Sequence, residues 1–122
     1  MVGNFGRRAY IQVVFWVWFG AVAVVSLLPG AVLGSTRVLI TTSGFWEHVL
    51  GYGVLALLAV LAFRGWKLGV IVAGVLLISI GFEVVQVLFL ERTFNWMDVA
   101  GNGLGLGAGV SFKWLSFTRR GE

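Results

Sequence analysis

Four apolar stretches alternate with short polar breaks along the chain: 10–28, 45–63, 68–90 and 97–112. About 20 apolar residues cover a bilayer core. The first three stretches reach or approach that length with few charges. The fourth is less hydrophobic and dense in glycine. Pro29 and Gly30 stop the first stretch, and Arg64, Gly65, Trp66 and Lys67 make a tight basic turn between the second and third. Residues 91–96 make the last break. Residues 29–44 are the longest connection, with Arg37 as their one charge and a Val38–Ile40 piece that could lie on a bilayer surface. The pattern predicts one all-α domain over 1–122, a polytopic membrane protein with four spanning helices in a bundle and a glycine-rich fourth helix. Alternating glycines also suit a strand, but a lone strand cannot satisfy its backbone in lipid. Arg7 and Arg8 before an apolar run also describe a secretory signal with cleavage near Gly34. The run from Tyr10 to Leu28 is longer than the roughly 7–15 residues of a signal core and fits a span better.

Composition supports the membrane reading. Hydrophobic residues make up 59% and charged residues 11%, against about 25% charged in soluble domains. That excludes a water-soluble globule and a disordered chain. Cysteine is absent, which removes disulfides, thiol nucleophiles and CxxC metal sites. The net charge of +4 falls at the ends of apolar runs rather than in a patch among aromatics, so nucleic acid is not an expected partner. With four spans, Arg7, Arg8, Arg64, Lys67, Lys113, Arg119 and Arg120 share one side, and Arg37 and Arg92 the other. The positive-inside rule then puts both termini in the cytoplasm.

That topology collects the polar side chains. Glu47, His48 and Tyr52 open the second span on the outer side. Glu83 and Gln86 close the third, Arg92 and Asn95 lie in the outer turn, and Asp98 and Asn102 open the fourth. His48 and Tyr52 are four apart and share a helix face, as do Ser79, Glu83 and Gln86 at i, i+4 and i+7. Asp98, Asn102, Gly105 and Gly109 form a third stripe. Gly101, Gly105 and Gly109 make one row of GxxxG steps, and Gly103 and Gly107 another on the far side. Small residues let helices approach closely in lipid, so two such rows predict a central fourth helix contacted on both flanks.

On these residues the chain resembles the VanZ-like family of small bacterial membrane proteins. The family pattern sets a Tyr four residues after a His, here His48 and Tyr52. It continues as E-x-x-Q (Glu83, Gln86), R-T-x-[DN]-x-x-D (Arg92, Thr93, Asn95, Asp98) and N-x-x-G-x-x-x-G (Asn102, Gly105, Gly109). Ser26, Leu27, Leu28 and Pro29 also look like the family's end to its first span. An Asp-Lys pair often precedes the family histidine. Gly44 and Phe45 stand in those places here, and Glu47 is the nearest carboxylate. The resemblance implies a multi-pass protein of the bacterial inner membrane. The family's namesake is linked to resistance to the glycopeptide teicoplanin.

Each candidate has a structural and a functional reading. Ionisable groups among apolar spans persist when paired or used. His48, Glu83 and Asp98 are the candidates for acid–base chemistry. Tyr52, Gln86, Arg92, Asn95 and Asn102 are the candidates for binding. Glu83 could equally clasp Asn102 or Arg92. Asp98 is expected to cap the fourth helix, and Asn102 to bind helices together. Arg92 could clamp Asp98, Glu83 or a lipid phosphate. Glu47 points about 100° away from His48, and Glu91 is a solvated turn charge. One histidine among carboxylates could hold zinc or a hard cation, but HExxH and related spacings are missing, so no metal or cofactor is expected. Nucleotide and GxSxG motifs are likewise missing.

Three functions fit. The first is binding of an envelope lipid or lipid-linked cell-wall precursor at the outer leaflet, with membrane lipids as the expected partners. The second is an intramembrane enzyme acting on such a substrate with His48 and Glu83 as acid and base. The third is a proton-coupled transporter, which would require a homo-oligomer because four spans enclose little.

Overall fold

Without water to satisfy N–H and C=O groups, a chain this apolar must bond its backbone within each segment, and the helix does so. The computed structural model describes residues 2–28, 45–90 and 93–118. They form four helices: α1 (Val2–Ser26), α2 (Phe45–Ala62), α3 (Leu68–Phe89) and α4 (Trp96–Thr118). Three are long and apolar enough to cross a membrane: α1 over 24 residues from Gly3, α2 over 18 and α3 over 22. At 1.5 Å per residue α3 reaches roughly 33 Å, about the thickness of a hydrocarbon core. α4 has 23 residues, but its glycines and polar first turns leave it less apolar than the other three. The connection 29–44, the turn residues Glu91 and Arg92, and the end 119–122 lie outside the described residues, and so do the expectations attached to Pro29, Gly34, Arg37, Arg119 and Arg120.

Two helices exceed their apolar stretches. α1 starts at Val2 rather than Tyr10, and α4 continues to Thr118 beyond Phe112. A helix needs only its own backbone bonds to continue, so it carries Arg7 and Arg8 beyond the apolar run instead of stopping there. The basic turn forms as expected. Trp66 N–H donates to the Phe63 carbonyl at 2.9 Å, and Lys67 in extended conformation starts α3.

The exterior is apolar, and a polar cluster is buried beside an apolar core. Large apolar residues such as Phe5, Val17, Leu77 and Phe89 face outward, while Ser79, Glu83, Gln86, Asp98 and Asn102 are buried. The inner packing centres on α2, where Leu55, Ala56 and Val60 are fully enclosed. Among the described residues α2 touches α1, α3 and α4, while α1 and α4 do not pack on each other. On the α1 side, Trp18 Nε1 donates to the Gly51 carbonyl at 3.0 Å and Gln12 Nε2 to the Ala62 carbonyl at 3.3 Å. Phe15 meets Phe63 edge-on with ring centres 5.2 Å apart.

The expected central position of the fourth helix is corrected. α2 is the hub, and α4 packs on it through one glycine row only. A Cβ added at Gly105 would collide with the Val49 carbonyl oxygen, and one at Gly109 with the Gly53 carbonyl oxygen. A Cβ at Gly101 would lie 2.9 Å from the Phe45 carbonyl oxygen and 3.0 Å from the His48 Cβ. Gly103 and Gly107 have nothing within 4 Å of theirs. The two rows are alike in sequence, but only one faces α2, against which α4 mainly packs; α3 touches α4 less extensively.

This asymmetry predicts unequal alanine scans. Gly105→Ala forces two backbones apart and should cost about 1–3 kcal/mol. Gly107→Ala should be neutral or stabilise by up to about 1 kcal/mol, through the better helix propensity of alanine. Denaturant unfolding in detergent, followed by circular dichroism, reads both. Equal effects would contradict the packing described.

Candidate functional site

Three helix ends meet where the glycine contact brings α4 onto α2. Asn95 starts α4. Its side-chain Oδ1 accepts from Met97 N–H at 2.9 Å, and its carbonyl accepts from Asp98 N–H at 3.1 Å. An Asn here satisfies donors that the first helical turn leaves without intrahelical partners. This corrects the expectation that Asp98 is the cap. Asn95 holds that place, so the Asp98 carboxylate is directed into the bundle, where it is 5% exposed. From the first turn of α4 it still gains from the positive end of the helix dipole.

Asn102, one turn deeper, is the junction. Its Oδ1 lies 2.6 Å from His48 Nδ1 on α2, and its Nδ2 donates to Ser79 Oγ on α3 at 2.8 Å. Three helices are thus tied through one amide. Tyr52, a turn beyond His48, stacks its ring parallel to the imidazole with centres 6.4 Å apart. Its hydroxyl hydrogen-bonds with the side chains of Ser79 and Ser26 and lies near Glu83. Gln86 Nε2 donates to the Ser26 carbonyl at 2.9 Å and so fastens the end of α1 to α3.

The imidazole's other face carries the candidate chemistry. With Asn102 Oδ1 against it, Nδ1 carries the proton in the neutral ring, and the Nε2 lone pair is directed away from Asn102. His48 Nε2 stands 3.5 Å from Asp98 Oδ1. That is too long for a good N–H···O bond, and Asp98 Oδ1 is buried with no hydrogen-bond partner. With the imidazole neutral, two electron-rich atoms therefore face one another. Glu83 joins them: one donor atom each from His48, Glu83 and Asp98 fall within 4.8 Å of one another.

Most sequence candidates therefore converge. His48, Tyr52, Glu83, Asp98 and Asn102 form one cluster, Gln86 and Asn95 support it from the helix ends, and Arg92 lies outside the described residues. Glu47 is exposed on α2. Ser79 and Ser26 are partners that the candidate set omitted. The i−4 spacing of Ser79 from Glu83 was the available signal for the first. The sequence offered no signal for a groove of about 560 Å³ between α3 and α4. Its wall is apolar, with Val84, Leu88, Trp96 and Val99 among its lining, while Ser79 and the buried Glu83 form its inner side.

The geometry makes a prediction for metal-free, EDTA-treated protein. An Asn at 98 can donate to the Nε2 lone pair where the carboxylate cannot. Asp98→Asn should therefore unfold at a higher temperature than wild type, by several degrees. Asn102→Ala, which loses bonds to two helices, should cost on the order of 1 kcal/mol, given about 0.6 kcal/mol per interhelical bond in membranes. Detergent melts of both variants check the pair, and destabilisation by Asp98→Asn would contradict the facing lone pairs.

Comparison of this chain with family models, with curated proteins and with solved structures returned no match.

Proposed function

We propose that this chain is a VanZ-like protein of the bacterial inner membrane, with four spans and both termini in the cytoplasm, that binds an envelope lipid or lipid-linked precursor at the outer leaflet. The observation that carries the reading is the groove between α3 and α4, whose apolar wall leads inward to Glu83 and Ser79. An amphipathic ligand needs that combination: acyl or prenyl carbons against Val84, Leu88 and Trp96, and a polar head beside the cluster. Burial of each methylene contributes about 0.8 kcal/mol when taken from water, but lipid tails already surround the protein. The selective part of the binding therefore comes from the polar groups. The distribution of arginine and lysine supports the orientation. The fourth span rests on α4 having the length to cross, with its glycines turned onto α2.

Acid–base chemistry on the same ligand is the second reading, favoured by the closeness of His48, Glu83 and Asp98. Transport is the weakest. The buried polar groups among the described residues lie at one end of the bundle, and no chain of them continues to the other.

The test is native mass spectrometry from mild detergent. Wild type should retain a lipid adduct. Val84→Trp, which fills the groove with an apolar side chain, should lose it with helix content unchanged. An adduct retained equally by both would refute the site. Turnover of reconstituted envelope lipids, abolished by His48→Ala, would decide for the enzyme. A role in glycopeptide resistance predicts that expression in a susceptible host lowers teicoplanin sensitivity and that Val84→Trp restores it.

A further inference from the structure

We propose that His48 Nε2, Asp98 Oδ1 and a Glu83 carboxylate oxygen bind one divalent ion of the zinc class. Three observations converge on it. The first is the three donor atoms gathered within 4.8 Å. The second is Asp98 Oδ1, which is buried, has no hydrogen-bond partner and faces into this cluster. The third is the tautomer imposed by Asn102, which leaves the Nε2 lone pair directed at that oxygen.

The separation of the first two donors suits an ion between them. Zinc binds imidazole nitrogen and carboxylate oxygen at about 2.0–2.1 Å. Two such bonds spanning the 3.5 Å between Nε2 and Oδ1 enclose an angle of roughly 110–120°, close to tetrahedral. Glu83 completes a third position by drawing its carboxylate inward, within the freedom of a glutamate side chain. A fourth position remains for water or a ligand oxygen, as in zinc sites that keep one place open. Imidazole as a ligand favours zinc over magnesium or calcium, which take oxygen.

The support around the site follows the same logic. A metal-bound histidine usually has its other ring nitrogen fixed by a carbonyl or carboxylate. Asn102 Oδ1 does this at 2.6 Å, and Ser79 in turn fixes the amide at 2.8 Å. A dication also replaces the repulsion between the facing lone pairs with two attractive contacts. It does so at the end of the bundle where Glu83 also lines the groove.

The chain makes the test clean, because His48 is its one histidine and cysteine is absent. The full-length protein, prepared without a polyhistidine tag and stripped with chelator, is titrated with zinc alone and with cobalt alone in detergent. One equivalent of zinc should be retained per chain and should shift the His48 Nε2 resonance in nitrogen NMR. Cobalt should give the intense visible bands of a four-coordinate site. Asp98→Asn and Glu83→Gln should each weaken zinc binding at least tenfold with helix content unchanged. Asn102→Ala should weaken it roughly 10–100-fold by freeing the imidazole. A wild-type protein whose His48 resonance does not respond to zinc overturns the proposal, whatever the variants do. So does an Asp98→Asn variant that binds as wild type does. Lipid retention is read separately, so loss of the zinc site and loss of the lipid reading remain distinguishable.

Discussion

The approach of α4 to α2 is the contact on which the rest of the structure depends. Backbone meets backbone along Gly101, Gly105 and Gly109, where Val49 and Gly53 carbonyls occupy the space a side chain would need. In lipid no hydrophobic force separates helix from solvent, so close van der Waals packing and interhelical hydrogen bonds must hold the bundle. The same glycine row sets the site. With no Cβ at Gly101, the His48 side chain can lie against α4, within reach of both Asn102 and Asp98.

That closeness explains how buried polar groups are tolerated. Asn102 is satisfied twice, by His48 and Ser79, and Tyr52 is held by two serines. These bonds tie α2, α3 and α4 together at one end of the molecule, and Gln86 adds the end of α1. Asp98 is the exception, with one carboxylate oxygen left without a hydrogen bond. A buried group left unsatisfied inside an otherwise satisfied network calls for an explanation, and the proposed ion supplies one. The groove beside Glu83 supplies an approach from the apolar side. The proposed binding role rests on these two features.

Much of the candidate site was legible because helical spacing is reliable over one or two turns. His48 with Tyr52, Ser79 with Glu83 and Asp98 with Asn102 each fall on one face, and each pair reaches the same cluster. The cap was misassigned for an equally local reason. Both Asn95 and Asp98 are good capping residues, and they stand three positions apart. Which one starts the helix depends on where the turn after α3 places the chain.

The sequence by itself determined that three segments form helices long and apolar enough to cross a membrane, because hydrophobic run length and backbone satisfaction are local matters. It also determined that the polar groups cluster near helix ends that an antiparallel chain brings together. Only the tertiary structure decided that α2 is the hub, that one glycine row is used and its equal is not, and that Asp98 faces His48 across 3.5 Å. Those outcomes depend on the rotation of each helix about its axis. Neighbouring helices fix that rotation through packing, and a one-dimensional pattern offers two matching faces where the bundle uses one.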